Sequence, residues 1–257
     1  MYLIAIMIIC CLPMIFILWM IFKAHHDVLD FVMIKDKRLP AGFEGFKIFF
    51  ITDIHRRKIK AKTLDAITDS IELVLIGGDM TEHGVPLDRT KQNLQLLKRF
   101  NVPIYFVWGN NDLEVNQQQL MDLFAAFDVI ILADDFRKIT RNGSSMQLIG
   151  FNFYEEPQYR YQIPWEDIDG YSLLLTHTPR SFYFQTPYIQ YKIQTVLAGH
   201  THGGQIRLFN KGLYSRGGLK YYNHTNVFVS EGYGYTALPF RLQTNAECHV
   251  VTLSNID

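Results

Sequence analysis

The chain has 257 residues, 48% of them hydrophobic and 14% aromatic, which is enough apolar material to bury one large core. Lysine plus arginine equals aspartate plus glutamate at 25 each, so the formal charge is zero and no global field recruits nucleic acid. Of the three cysteines, Cys10 and Cys11 are adjacent near the start and Cys248 stands alone, which excludes a disulfide framework within a domain.

Residues 2–22 carry no charge. At about 1.5 Å rise per residue, a helix of that length crosses the roughly 30 Å of bilayer hydrocarbon. The expectation is a single-pass transmembrane anchor over residues 1–22, with Pro13 tolerated as it is in spanning helices and Trp19 and Phe22 at the interface. A cleaved signal peptide fits less well, because the segment lacks a basic start and no small-residue cleavage site precedes Lys23. Lys23, Lys35, Lys37 and Arg38 follow the span while nothing basic precedes it, which favours a cytoplasmic catalytic domain. Residues 23–45 read as a connector of mixed charge, and the composition changes at Phe46, so the folded domain is expected over 46–257.

From there the chain alternates apolar, β-rich runs with helical patterns. Strands are expected at 47–52, 73–76, 104–107, 147–151, 173–176, 196–198 and 227–229, and amphipathic helices at 61–71, 90–100 and 117–127. That is an α/β fold. Seven metal-binding side chains stand almost without exception at the ends of these apolar runs. The pieces are Thr52-Asp53-Ile54-His55, Gly77-Gly78-Asp79, Gly109-Asn110-Asn111-Asp112, Thr176-His177 and Gly199-His200-Thr201-His202-Gly203-Gly204-Gln205. Side chains just beyond strands gather on one rim of an α/β sheet, and the flanking glycines let the backbone bend sharply there. One histidine would mean little, but four of the nine fall in these motifs. Carboxylate, carboxamide and imidazole without thiolate suit Mn, Fe or Zn, and two ions about 3.5–4 Å apart need a bridging carboxylate, for which Asp79 is the natural candidate.

These five motifs in this order resemble the calcineurin-like metallophosphoesterases, and the similarity covers nearly all of residues 46–253. It is nearest to the membrane-anchored bacterial-type branch of predicted phosphohydrolases related to UDP-diacylglucosamine-cleaving members. Residues 227–234, then Leu238-Pro239-Phe240-Arg241 and Glu247, share in that likeness. The resemblance implies a two-sheet β-sandwich flanked by helices and two divalent metal ions. It implies that Asp53, His55 and His202 hold one ion, that Asn110, His177 and His200 hold the other, and that Asp79 bridges both. It also implies a hydroxide nucleophile formed between the ions and an in-line attack on a phosphoester or pyrophosphate.

One departure matters. Where the family has Gly-Asn-His followed by an acidic residue, this chain has Asn111 followed by Asp112. The motif histidine is thought to stabilise the transition state or protonate the leaving oxygen, so Asn111 and Asp112 are the catalytic candidates, with Asp112 as the orienting acid. An amide donates a hydrogen bond but no proton, and general-acid help is worth roughly 10²–10⁴ in rate. His83 is either a substitute donor or a solvent-exposed loop histidine. The basic run that follows His55 makes Arg56 and Arg57 candidates for holding an anionic substrate. The other readings of that run are a solvated face and contact with acidic headgroups. Tyr233, Tyr235 and Phe240 read as core packing or the wall of an apolar groove. The expected substrate is a phosphorylated small molecule or a lipid-linked one held near the membrane. The competing reading is a membrane-tethered, metal-binding scaffold with weak or no hydrolysis, which Asn111 alone supports.

Overall fold

The structure is a computed structural model and describes residues 2–156 and 161–256, with side chains from Cys11 onward. Helix α1 (Tyr2–His25) leads into β1 (Asp27–Lys35), β2 (Phe46–Ile51), a short α2 (Ala61–Asp65), β3 (Leu73–Ile76), α3 (Leu87–Leu97), β4 (Ile104–Phe106) and α4 (Gln117–Ala126). Then come β5 (Val129–Ile131), β6 (Asp135–Arg141), β7 (Ser144–Gly150), β8 (Ser172–Leu175), α5 (Arg180–Tyr183), α6 (Pro187–Lys192) and β9 (Thr195–Ala198). The chain closes with β10 (Gly218–Tyr222), β11 (Thr225–Val229) and β12 (Ala246–Ser254).

Two six-stranded sheets form, ordered β1-β12-β2-β3-β4-β5 and β10-β11-β9-β8-β7-β6. Their centres are parallel: β2 through β5 in the first, and β7, β8, β9 and β11 in the second. Period-two alternation explains why the sheets stack. In β2, Ile48 and Phe50 enter a core shared with Leu173 and Leu175 of β8, while Phe49 and Ile51 face the other way and pack with Leu94 and Leu97 of α3 and Phe124 of α4. In β8, Leu174 points outward and joins Phe182 of α5. Each sheet therefore buries one face against the other sheet and one against helices. Such strands read as continuous apolar runs, which is why they were visible in the sequence.

The edges differ from the sequence expectation. The stretch read as a connector contains β1, which pairs in parallel with β12 along its whole length, from Asp27 opposite Ala246 to Lys35 opposite Ser254. Asp30 and Lys35 are exposed on this edge strand and the Asp27 carboxylate is buried in a pair with Arg57, so charge there does not signal a linker. The expected helix over 61–71 stops at Asp65. The Thr68-Asp69-Ser70 stretch beyond favours turns, and Asp69 is drawn off to pair with Lys47. Among the described residues, no helix is long and apolar enough to cross a membrane, and the first part of the expected anchor, side chains 1–10, lies outside the described residues.

Candidate metal centre

Both sheets end on the same rim. Asp53 follows β2, Asp79 follows β3, Asn110 follows β4, His177 follows β8 and His200 follows β9, each within four residues of its strand's end. The backbone turns hard at these points. Asp53, His55, Asp79, His200 and His202 have φ of 55°, 51°, 50°, 69° and 48°, a left-handed conformation that costs an L-residue energy and concentrates at functional sites. Two neighbouring glycines have no room for a side chain: a Cβ on Gly109 would lie 2.2 Å from Asp79 Oδ1, and one on Gly199 would lie 2.3 Å from Asp53 Oδ2.

The structure brings all seven expected ligands together. Asp53, His55 and His202 offer one set of donor atoms, and Asp79, His177 and His200 another, with the atoms of each set within 4.8 Å of one another. In the first, His55 Nε2 lies 3.1 Å from His202 Nε2, which is 3.4 Å from Asp53 Oδ1. In the second, His177 Nε2 lies 3.0 Å from His200 Nδ1 and 3.2 Å from Asn110 Oδ1. Asp79 Oδ2 stands between the sets, 3.7 Å from His55 Nε2 and 3.3 Å from His177 Nε2. Its other oxygen is occupied, accepting the Asn111 N–H at 2.8 Å.

This donor set fits two divalent cations. Four imidazoles and two carboxylates converge with nothing bulkier between them, and without a cation their protons are badly placed. Burial works against a charge on His177, yet the Asp79 carboxylate lifts it to about 10. Burial and the neighbouring His177 push His200 down to about 4. Burial and the charge on His55 press His202 down as well. Cations satisfy these lone pairs without that conflict.

Outer partners orient the rings. His177 Nδ1 lies 2.9 Å from the Gly77 carbonyl, and His55 Nδ1 lies 2.9 Å from Glu82 Oε2. Burial disfavours a charged His55, but Glu82, Asp79 and Asp53 together hold its pKa above the ordinary value. Arg241, fully buried, donates to the carbonyls of Glu231, Gly232 and Gly234 at 2.6, 3.0 and 2.8 Å and lies 3.1 Å from His202 Nδ1. That clamp fixes the turn in which Tyr233 and Gly234 donate to the carbonyls of Thr52 and Asp53. Glu82 carried no signal of its own in the sequence, and Arg241 entered only as part of a resemblance. Glu82→Gln should weaken metal binding by about 10–100-fold in competition with a chelator, and unchanged affinity would show that Glu82 does not support His55.

The remaining candidates separate. Asp112 lies behind Asp79, fully buried, and accepts N–H bonds from Asp79 at 2.7 Å, Gly109 at 3.0 Å and Thr81 at 3.1 Å. Burial and the charge of Asp79 raise its pKa to about 7. It is placed as a buried clasp, with no face to substrate. Asp112→Ala orphans three buried donors at about 1–3 kcal/mol each, so thermal unfolding should drop by roughly 10 °C. Asn111 is half-buried at the rim: its Oδ1 accepts from Asn110 Nδ2 at 2.7 Å, and its Nδ2 donates to Glu114 Oε1 at 3.2 Å. Arg56 is exposed and pairs with Glu82 beside His55. Arg57 departs from expectation. It is 4% exposed, pairs with Asp27 of β1, donates to the Tyr233 carbonyl at 2.8 Å and lies over the Tyr233 ring, so it faces the interior. His83 is exposed, and Tyr233 is core.

The sequence profile of the calcineurin-like phosphoesterases matches residues 46–204. The chain belongs to this family. It is 38% identical over 232 residues to the uncharacterized protein YpbG of Bacillus subtilis (strain 168), across 89% of this chain and 87% of that one. It is 25% identical over 248 residues to the uncharacterized metallophosphoesterase YkuE of the same organism, across 86% and 84%. Among solved structures, the crystal structure of the phosphopantetheinyl hydrolase PptH from Mycobacterium tuberculosis superposes with a TM-score of 0.50 at 16% identity, covering 75% of this chain and 91% of that one, a likeness of fold alone. Membership makes this phosphoesterase a metal-dependent hydrolase with two metal-binding groups.

Proposed function

We propose that this phosphoesterase is held to a membrane by α1 and cleaves a phosphodiester whose leaving group carries no additional anion. The observation that carries the two-metal reading is the position of Asp79 Oδ2, within 3.7 Å of an imidazole nitrogen from each ligand set. A pair of divalent cations held there supplies Lewis acidity and a water acidic enough to ionise near neutrality. The chain's own residues do the rest. Asp53, held by the His200 N–H at 3.0 Å and the Thr52 hydroxyl at 2.8 Å, keeps its outer lone pairs aimed at the first set. Asn111 turns the Asn110 amide so that its oxygen faces the second.

The leaving-group reading comes from the groove that opens beside Asn110. It has a volume of about 500 Å³ and is lined by Leu113, Glu114, Phe153, Tyr154 and Glu155. Phe153 also flanks the site, its ring 5.9 Å from that of His177. Two carboxylates and two aromatic rings suit a neutral, aromatic or cationic group and repel a second phosphate. Near the rim, Arg56 is already paired with Glu82 and Arg216 with Glu231, which favours a singly charged diester over a doubly charged monoester. The anchor reading rests on the uncharged stretch 2–22 and on the helix that contains it.

The test uses the full chain in detergent, loaded with Mn, Fe or Zn. Metal content is measured alongside hydrolysis of an aryl phosphodiester, the matching monoester and an aryl-free pyrophosphate. Two metals per chain with the diester preferred is the expected result. Two metals with the pyrophosphate preferred would sink the leaving-group reading, and less than one metal with no hydrolysis would favour the scaffold.

A further inference from the structure

The most apolar exposed surface near the centre lies directly behind the last ligand. After the turn His202–Gly204 the chain loops out over residues 206–213 and leaves Leu208, Phe209 and Leu213 exposed by 59, 86 and 84%. Single exposed apolar side chains are ordinary; several on one loop mark a surface for apolar contact. The loop is firmly built. Arg207, buried beneath it, donates to the carbonyls of Gly203 at 2.7 Å and Tyr214 at 2.6 Å, and Leu208 and Lys211 bond each other's backbones at 2.8 and 2.9 Å. Its base touches the site, with the ring of Tyr214 6.3 Å from that of His200.

Two observations say what covers this surface. The first is its continuity with α1. Residue 206 bridges to Leu242, the Arg207 N–H donates to the Leu242 carbonyl at 3.0 Å, and the Arg241 N–H donates to the Met20 carbonyl of α1 at 3.2 Å. Leu238, 59% exposed, stands on the same side, tied through the Gln205 side chain, which donates to its carbonyl at 3.3 Å. From Leu12 to Phe22, α1 exposes eight large apolar side chains by 45 to 61%. The second is charge. Between Asp169 and Glu231 the sequence has no acidic residue, and Lys211 on the loop and Lys220 on β10 are exposed. Where α1 meets the domain, His25, His26, Lys60 and Lys62 line a hollow with Phe22, and the carboxylate in that lining, Asp27, is taken up by Arg57 and Lys60. Apolar tips flanked by cations match a leaflet that carries anionic headgroups.

We propose that the 206–213 loop dips into the headgroup boundary of a bilayer containing anionic phospholipid, beside α1, so that the metal centre faces the membrane surface and takes its phosphoester from an amphiphile in that leaflet. This rests on the reading of α1 as an anchor. The consequence is geometric: substrate approaches along the bilayer.

The test places spin labels on the full chain, in a Cys10→Ala, Cys11→Ala background, reconstituted in nanodiscs of phosphatidylcholine and phosphatidylglycerol. Labels go at Phe209→Cys, Leu213→Cys, Ile15→Cys on α1, and Gln118→Cys on α4 as an aqueous reference. Power saturation compares access to molecular oxygen with access to a water-soluble nickel chelate. The expected result is an oxygen-dominated signal at 209 and 213, like that at 15, and a chelate-dominated signal at 118. Label 15 in lipid with 209 and 213 in water overturns the docking loop and leaves the anchor standing. All four in water removes both. No readout depends on hydrolysis, so failure of the enzymatic reading would be seen separately.

Discussion

Asp79→Ala should lower hydrolysis of an aryl phosphodiester by on the order of 10³-fold or more and reduce bound metal from two per chain toward one. The carboxylate is 2% exposed, with Oδ1 committed to the Asn111 N–H and Oδ2 between the two imidazole sets. No other described carboxylate reaches both sets, so its loss separates them. Stabilising transition-state charge with metal ions is worth several kcal/mol, and each 1.36 kcal/mol is about tenfold in rate. The fold should survive. Burial opposes the Asp79 charge and His177 sustains it, while that charge helps push the Asp112 carboxyl up to about 7, so removing it relieves Asp112. Elemental analysis, steady-state rates and a thermal scan on one sample decide the matter. Two tightly bound metals and near-normal turnover in the variant would exclude a bridging role for Asp79.

The ligand positions were legible because local sequence determines them: an apolar run sets a buried strand, and glycines next to an acidic or imidazole side chain set a sharp turn at its end. Gly109 and Gly199 show why, since each would drive a Cβ into a ligand carboxylate. What local sequence hides is which distant segment covers a residue. Arg57 reads as one cation in a basic run, yet Asp27 reaches it from β1, thirty positions earlier, and turns it into a buried structural residue. The strand β1 was itself hidden, because its charges break the apolar pattern: the Asp27 carboxylate is buried against Arg57, while Asp30 and Lys35 stay exposed at the sheet edge. Glu82 became visible, and Arg241 gained a role beyond its place in a family-like stretch, only when the loops after β3 and β11 closed on His55 and His202. Pattern thus reveals the candidate metal donors, and tertiary closure reveals what orients them.

Asn111→His should change the leaving-group dependence of the reaction more than its best rate. Esters with acidic leaving groups need no proton, so aryl substrates should change little. Alkyl esters should gain about 10²-fold, the low end of general-acid help, flattening the plot of log rate against leaving-group pKa. The structure supplies the geometry and the cost. Asn111 sits half-buried at the rim with Glu114 Oε1 3.2 Å from its amide nitrogen, so an imidazole there has a carboxylate to orient it. The same substitution removes the Asn111 Oδ1 that accepts from Asn110 Nδ2 at 2.7 Å and keeps the Asn110 oxygen facing His177. Some loss of metal affinity should therefore accompany the gain. Asn111→Ala separates the two effects, because it loses the orientation without acquiring a proton donor. Its metal binding should weaken like that of the histidine variant while its leaving-group slope stays steep. If all three proteins share one slope, proton donation at position 111 does not limit this enzyme, and the asparagine is there to hold Asn110.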